Sequence, residues 1–155
     1  VLAPGNPATL PADAASQVAA MRFRLDATAP VHGLDPKKGP GGLLDVEFAV
    51  QWLQLRHALR EPSTPDAIER LRRRGHLKHD DANALLRAHA ELRQVERRLR
   101  LRYGRADVYV PLSGPSLLSV ARLLGGAGAD AGTRLLAHLA DVMARNRALF
   151  ERVVG

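Results

Sequence analysis

The sequence predicts an all-α fold, a bundle of five to six helices joined by short connections. Three observations carry this. Apolar residues recur at helical spacing through most of the 155 residues. Aromatic residues are only 4%, against the aromatic and β-branched enrichment of sheets. Glycine and proline cluster at intervals that cut the chain into helix-sized pieces. The composition, 46% hydrophobic and 25% charged, is that of a globular protein.

The elements follow in chain order. Residues 1–11 read as a lead-in or linker punctuated by Pro4, Gly5, Pro7 and Pro11, and 12–155 as a single helical domain. A first helix is expected over Ala12–Leu25, with Val18, Met21 and Leu25 on one face and Arg22 and Arg24 turned away. Pro30, Gly33 and Pro36 end it. Lys37-Lys38-Gly39-Pro40-Gly41-Gly42 forms a glycine-rich loop feeding a second helix, Leu43 to about Arg60. That helix carries two apolar stripes, Leu43/Val46/Val50/Leu53 and Phe48/Trp52/Leu55/Leu59, which places it in the middle of the bundle. Between them Glu47, Gln51 and Gln54 form a polar line, read as a partly buried seam.

Thr64-Pro65-Asp66 starts a short third helix, with Ile68 and Leu71 buried and Gly75 as its stop. Asp80 or Asp81 caps a fourth, which runs to Tyr103 and stops at Gly104. Leu85, Leu92, Leu99 and Tyr103 mark its apolar stripe. Glu96 falls on the same stripe, within reach of Arg93, Arg97 and Arg100, so Arg93 and Glu96 are a candidate structural ion pair. Val108-Tyr109-Val110 is read as loop, because Pro111 follows and no partner strand is visible. Helices over Ser116–Leu124 and Asp130–Val154 complete the chain, the last carrying Leu135, Leu139, Val142, Phe150 and Val153.

The remaining composition narrows the function. Lys+Arg is 23 against 16 Asp+Glu, a formal charge of +7, nearly all of it arginine. Such a balance favours an acidic partner, or simply coats solvated helix faces. Cysteine is absent, which removes disulfides, thiolate metal sites and thiol nucleophiles. No apolar run reaches the roughly 20 residues of a membrane span and no signal peptide is visible, so a cytoplasmic setting without membrane contact is expected. The chain starts at Val1, which implies processing or excision from something longer.

Candidate chemistry is sparse. The glycine loop before a helix has the outline of a phosphate cradle. It lacks the Gly-Lys-Ser/Thr ending of a P-loop, and Asp45 and Glu47 in the first helical turn would repel a phosphate. The alternative is a tight turn that starts a buried helix beside another backbone. Asp45 and Glu47, two apart, point in different directions and are not an acid/base pair. The six histidines, His32, His57, His76, His79, His89 and His138, form no ligand pattern; His89 reads as a core residue. Ser113-Gly114-Pro115-Ser116 is turn chemistry. Arg93, Arg97, Arg98, Arg100 and Arg102 wind around their helix with little aromatic interleaving, so nucleic acid is allowed but not indicated.

The stretch Lys37-Lys38-Gly39-Pro40-Gly41-Gly42-Leu43-Leu44-Asp45-Val46-Glu47-Phe48-Ala49-Val50-Gln51-Trp52-Leu53-Gln54-Leu55 resembles the signature of the bifunctional glutamine synthetase adenylyltransferase/adenylyl-removing enzymes. Thr64–Gly75 resembles the short helix that follows in that family. Asp80–Leu101 resembles its next helix, with His89 where tyrosine is usual, Arg97 where histidine is usual, and Arg93 and Glu96 matching. Asn146–Val153 resembles its closing turn. The resemblance spans about Met21–Gly155. It implies a helical domain that follows a nucleotidyltransferase domain in an enzyme that attaches AMP to glutamine synthetase and removes it again. The catalytic Gly-Ser and Asp-x-Asp motifs of that neighbouring domain have no counterpart here, so the piece is expected to be inactive alone, with ATP and Mg2+ held by the parent enzyme and no metal or catalytic residue of its own. The resemblance implies as partners the catalytic domain of the same chain, glutamine synthetase and the PII signal protein. It places Lys38, Gly39, Gly41, Gly42, Asp45, Glu47 and Gln51 toward the catalytic cleft. The glutamine-rich stretch leans toward the C-terminal, adenylylating half. The alternatives are the helical domain of a PII uridylyltransferase, against which Glu47-Phe48 argues, and a stand-alone basic module that binds nucleic acid or docks an acidic protein.

Overall fold

A computed structural model describes residues 12–26, 33–106 and 108–155, in which an all-α bundle is formed as expected. Its helices are α1 (Ala14–Asp26), α2 (Leu43–Arg56), α3 (Thr64–Arg73), α4 (His79–Tyr103), α5 (Gly114–Leu123) and α6 (Ala131–Val154). The lead-in 1–11, His32 and the side chain of Leu25 lie outside the described residues.

α2 occupies the centre, touching α1, α3, α4 and α6. Its first apolar stripe, Leu43, Val46, Val50 and Leu53, is buried. On the second, Trp52 and Leu59 are buried while Phe48 and Leu55 are only half so. One core lies between α2, α3 and α4, built on Val50, Ile68, Leu71 and Leu85. A second, with Leu92, Leu99, Val110, Val120 and Leu139, joins the other half of α4 to α5 and α6. A third, Ala49, Trp52, Phe150 and Val154, receives α1 through Ala14, Ala15 and Val18.

Several boundaries differ from expectation. α2 ends at Arg56, not Arg60. Ala58 adopts φ 51°, the Ala58 N–H donates to the Leu55 carbonyl, and Leu59 N–H donates to Gln54. This is a Schellman stop with alanine where glycine is usual, so no glycine advertises it. α3 is capped by Ser63, whose hydroxyl accepts from the Asp66 N–H, and Thr64 is already helical. α4 starts at His79, so Asp80 and Asp81 sit in its first turn, where they complement the dipole. Gly75 and Gly104 stop α3 and α4 with positive φ, as expected.

Two corrections are larger. Val110–Pro111 is not loop but a two-residue strand, β2. It pairs antiparallel with β1 (Gly33–Leu34), Gly33 opposite Pro111 and Leu34 opposite Val110. The face of α1 is also reassigned. Met21 is 53% exposed and Phe23 71% exposed, while Arg22, expected in solvent, is wholly buried. Ala14, Val18 and Arg22 share one helical stripe, and that stripe faces the bundle.

Candidate functional site

The glycine loop is a tight turn clamped against α6. Its backbone N–H groups are all turned inward. Lys37 and Lys38 donate to the Asp35 carboxylate at 2.8 and 2.9 Å, and Gly39 donates to the Asp35 carbonyl. Gly41 N–H donates to Asp45 Oδ2 at 2.6 Å, and Gly42, Leu43 and Leu44 donate to the carbonyls of Gly39, Pro36 and Lys37. A phosphate needs such donors pointing outward; these residues therefore do not fit a nucleotide phosphate. The glycines are required by crowding. A Cβ on Gly41, at φ +77°, would run into the Met143 carbonyl of α6, and one on Gly42 would lie 2.8 Å from the Lys37 carbonyl oxygen. Asn146 of α6 completes the clamp, its Nδ2 donating to the Gly41 carbonyl at 3.0 Å.

Asp45 is the centre of this latch and is wholly buried. Its Oδ1 accepts from Arg22 Nε, and its Oδ2 from Gly41 and, at 3.4 Å, from Arg147 of α6. Arg22 Nη2 donates to the carbonyls of Lys38 and Gly39, both at 2.8 Å. A buried carboxylate and guanidinium are sustained only when paired and hydrogen-bonded in this way. The result ties α1, the loop, α2 and α6 together at one point. Gly39, Gly41, Gly42 and Asp45 are thus enclosed within this chain, while Lys38 and Glu47 are half-buried and Gln51 is exposed.

The polar line of α2 does not form one buried seam. Gln51 faces out. Gln54 staples the loop after α2: its Oε1 accepts from Glu61 N–H at 2.7 Å, and its Nε2 donates to the Glu61 carbonyl at 3.2 Å. Glu47 accepts from Arg93 of α4 at 3.0 Å. The expected Arg93–Glu96 pair is therefore replaced by two others, Arg93–Glu47 across helices and Arg100–Glu96 at 3.3 Å along α4. Near the first of these, His89 is buried, as expected, with no hydrogen-bond partner for its Nε2 among the described residues. Burial holds its pKa below the ordinary histidine value, Arg93 adds to the lowering, and Glu47 opposes it.

The arginines of α4 divide by direction. Arg98 donates to the Leu123 carbonyl at 2.7 Å and Arg102 to the Ser119 hydroxyl at 3.3 Å, stapling α4 to α5. Arg93, Arg97 and Arg100 instead line one open depression of about 500 Å³ with Glu96, Leu101 and Arg105. What reads in sequence as a winding series contains a stripe, because positions four and three apart share a face.

The other histidines are dispersed. His57 and His76 stack with ring centroids 3.7 Å apart. His57 is held below its ordinary pKa by burial, then by His76 and Arg56. His79 lies against Asn83, and His138 pairs with Glu91. Among the described residues, no helix is long and apolar enough to cross a membrane.

The family model described as GlnD PII-uridylyltransferase matches residues 11–154. Curated relatives carry the name bifunctional glutamine synthetase adenylyltransferase/adenylyl-removing enzyme. The one from Nocardia farcinica is 31% identical over 152 residues, 92% of this chain and 15% of its own. That of Streptomyces coelicolor is 40% identical over 112 residues, 68% of this chain and 11% of its own. That of Mycobacterium tuberculosis (strain H37Rv) is 45% identical over 92 residues, 55% of this chain and 9% of its own. The chain thus spans between 9% and 15% of the length of these relatives.

Proposed function

The chain belongs to the family described as GlnD PII-uridylyltransferase, and on that premise we propose that it is the helical regulatory and substrate-positioning domain of an enzyme that adenylylates and deadenylylates glutamine synthetase. The observation that carries the reading is the Nocardia farcinica relative, a bifunctional glutamine synthetase adenylyltransferase aligned over 92% of this chain. In this proposal the nucleotidyltransferase domain adjoins the chain in the same polypeptide and holds ATP and Mg2+. Glutamine synthetase and PII are the protein partners, the setting is cytoplasmic, and the half is the C-terminal, adenylylating one. No catalytic step is assigned to the residues described above.

The structure narrows which motif residues can reach a neighbouring domain. Asp45, Gly39, Gly41 and Gly42 are internal and position α2. Lys38, Glu47 and Gln51 retain surface, and the two α2 residues lie one turn apart, on one face. We therefore assign Glu47 and Gln51 to the contact with the catalytic cleft. In the intact enzyme, Glu47→Ala and Gln51→Ala should each lower AMP transfer to glutamine synthetase. Undiminished transfer by folded variants would remove the assignment.

A second reading is favoured by the name of the matching family model: the helical domain of a PII uridylyltransferase. Incubating the intact enzyme with labelled UTP and PII, and in parallel with labelled ATP and glutamine synthetase, separates the two. Label on PII alone would replace the first reading with the second.

A further inference from the structure

We propose that the open face of α4 from Arg93 to Arg105 is a docking surface for a partner polypeptide, specifically an extended acidic segment bearing one large apolar side chain. The inference goes beyond the assignment above, since it holds whichever nucleotide the parent enzyme transfers.

The first support is charge. Four guanidiniums, Arg93, Arg97, Arg100 and Arg105, surround the depression. Glu47 pairs with Arg93, and the nearly buried Glu96 pairs with Arg100. These two arginines are thereby fixed in direction and largely neutralised. Arg97 and Arg105 are exposed and have no acidic partner among the described residues. Among the described residues the face therefore carries two positive charges with no acidic partner, flanked by two pre-positioned forks. Arginine forks match carboxylates in geometry as well as charge.

The second support is Leu101. It is 80% exposed, it lies among these arginines, and it lines the same depression. Neither solubility nor the α4 dipole calls for a bare leucine there. Arginine is enriched at protein–protein interfaces and their hot spots, and Leu101 adds exposed apolar surface among the four. A nucleic-acid strand would instead be served by aromatic stacking platforms, and among the described residues no aromatic side chain lines this depression. Length agrees with a short peptide. From Arg93 to Tyr103 the helix extends about 15 Å at 1.5 Å per residue, which four or five residues of extended chain cover at about 3.3 Å each. The depression, about 500 Å³ and open, has room for the apolar side chain of such a segment beside Leu101.

Fluorescence anisotropy on the intact protein tests this. The probes are a labelled peptide of glutamates flanking one leucine, the same peptide with lysines for glutamates, and a labelled thymidine oligonucleotide. The acidic peptide should bind saturably and weaken as salt is raised, and the lysine peptide should not bind. Arg97→Glu combined with Arg105→Glu should weaken the acidic peptide by about tenfold or more, because both charges then repel it. Leu101→Asn, which leaves every charge in place, should also weaken it. Both variants alter exposed side chains that have no acidic partner among the described residues, and an unchanged melting temperature verifies their folding. The proposal is overturned by failure of the acidic peptide to saturate, by equal binding to the wild type and both variants, or by saturation with the oligonucleotide in place of the peptide.

Discussion

Replacing Asp45 by Asn removes a charge from the latch while barely changing its shape. Arg22, wholly buried, then keeps the carbonyls of Lys38 and Gly39 but has a neutral amide in place of the Asp45 carboxylate. Arg147 is less affected, because its Nε bonds Glu151 at 2.8 Å and its side chain retains 24% exposure. The loss therefore falls on Arg22. Removing one partner of a buried ion pair destabilises by about 3–5 kcal/mol. With a urea slope of about 2 kcal/mol per molar, this moves the unfolding midpoint down by roughly 2 M. Domain stabilities are about 5–15 kcal/mol, so the variant loses a large share of its stability. Equilibrium urea unfolding followed by circular dichroism reads the shift. Arg22→Met provides the control. The double variant Arg22→Met/Asp45→Asn removes both members of the pair, so its loss should fall short of the sum of the two single losses by about 1–3 kcal/mol. A loss under about 1 kcal/mol for Asp45→Asn, or strict additivity in the cycle, would refute the claim that the pair clamps α1 to the bundle.

Two further outcomes follow from the same geometry. Gly41→Ala should destabilise by more than about 3 kcal/mol, since it combines a left-handed φ of +77° with a clash against the Met143 backbone; Gly75→Ala, at φ +74° with nothing near its Cβ, should cost only about 1–2 kcal/mol. Denaturant melts of the two variants side by side check this, and equal losses would contradict it. Stability should also fall as the pH drops below 6.5, the ordinary histidine value, toward the lowered folded-state pKa values of His57 and His89. In that window the unfolded chain binds protons that the folded one does not, so the contribution is full above pH 6.5 and is lost on acidification. The slope per histidine is at most about 1.4 kcal/mol per pH unit. His89→Gln should flatten the profile in urea melts between pH 7.5 and 5.5, and an unchanged profile would exclude His89 as a source.

What the sequence made legible was local. Glycines that stop helices by taking positive φ, Gly75, Gly104 and Gly125, are visible as residue types, and α3, α4 and α5 end where they stand. Ala58 performs the same task without the type, so the end of α2 was hidden. Apolar periodicity located the buried faces of α2, α3 and α4. It misplaced α1, because a buried arginine breaks the rule that charges face water, and its partner lies 23 residues away. Similarly Arg93 has an acid three residues on in Glu96, yet its partner is Glu47, 46 residues away on another helix. The β1–β2 pair joins Leu34 to Val110, far apart in sequence and too short to show strand periodicity.

Much of the stretch Lys37 to Leu55, on which the resemblance rests, is architectural. Its glycines admit α6, and its aspartate anchors Arg22 and receives Gly41. Gly41, Gly42 and Asp45 are each dictated by a neighbour in three dimensions. It also has a consequence for function. Asp45, the centre of the latch, lies on the same helix as Glu47 and Gln51, so it fixes the axial rotation of α2 and, through the Arg93 pair, the register of α2 against α4. The outward faces of both helices are then held by one buried charge pair. Loss of Asp45 should therefore impair contacts made by Glu47 and by the Arg97–Leu101 surface together, whereas surface substitutions on either helix should act separately.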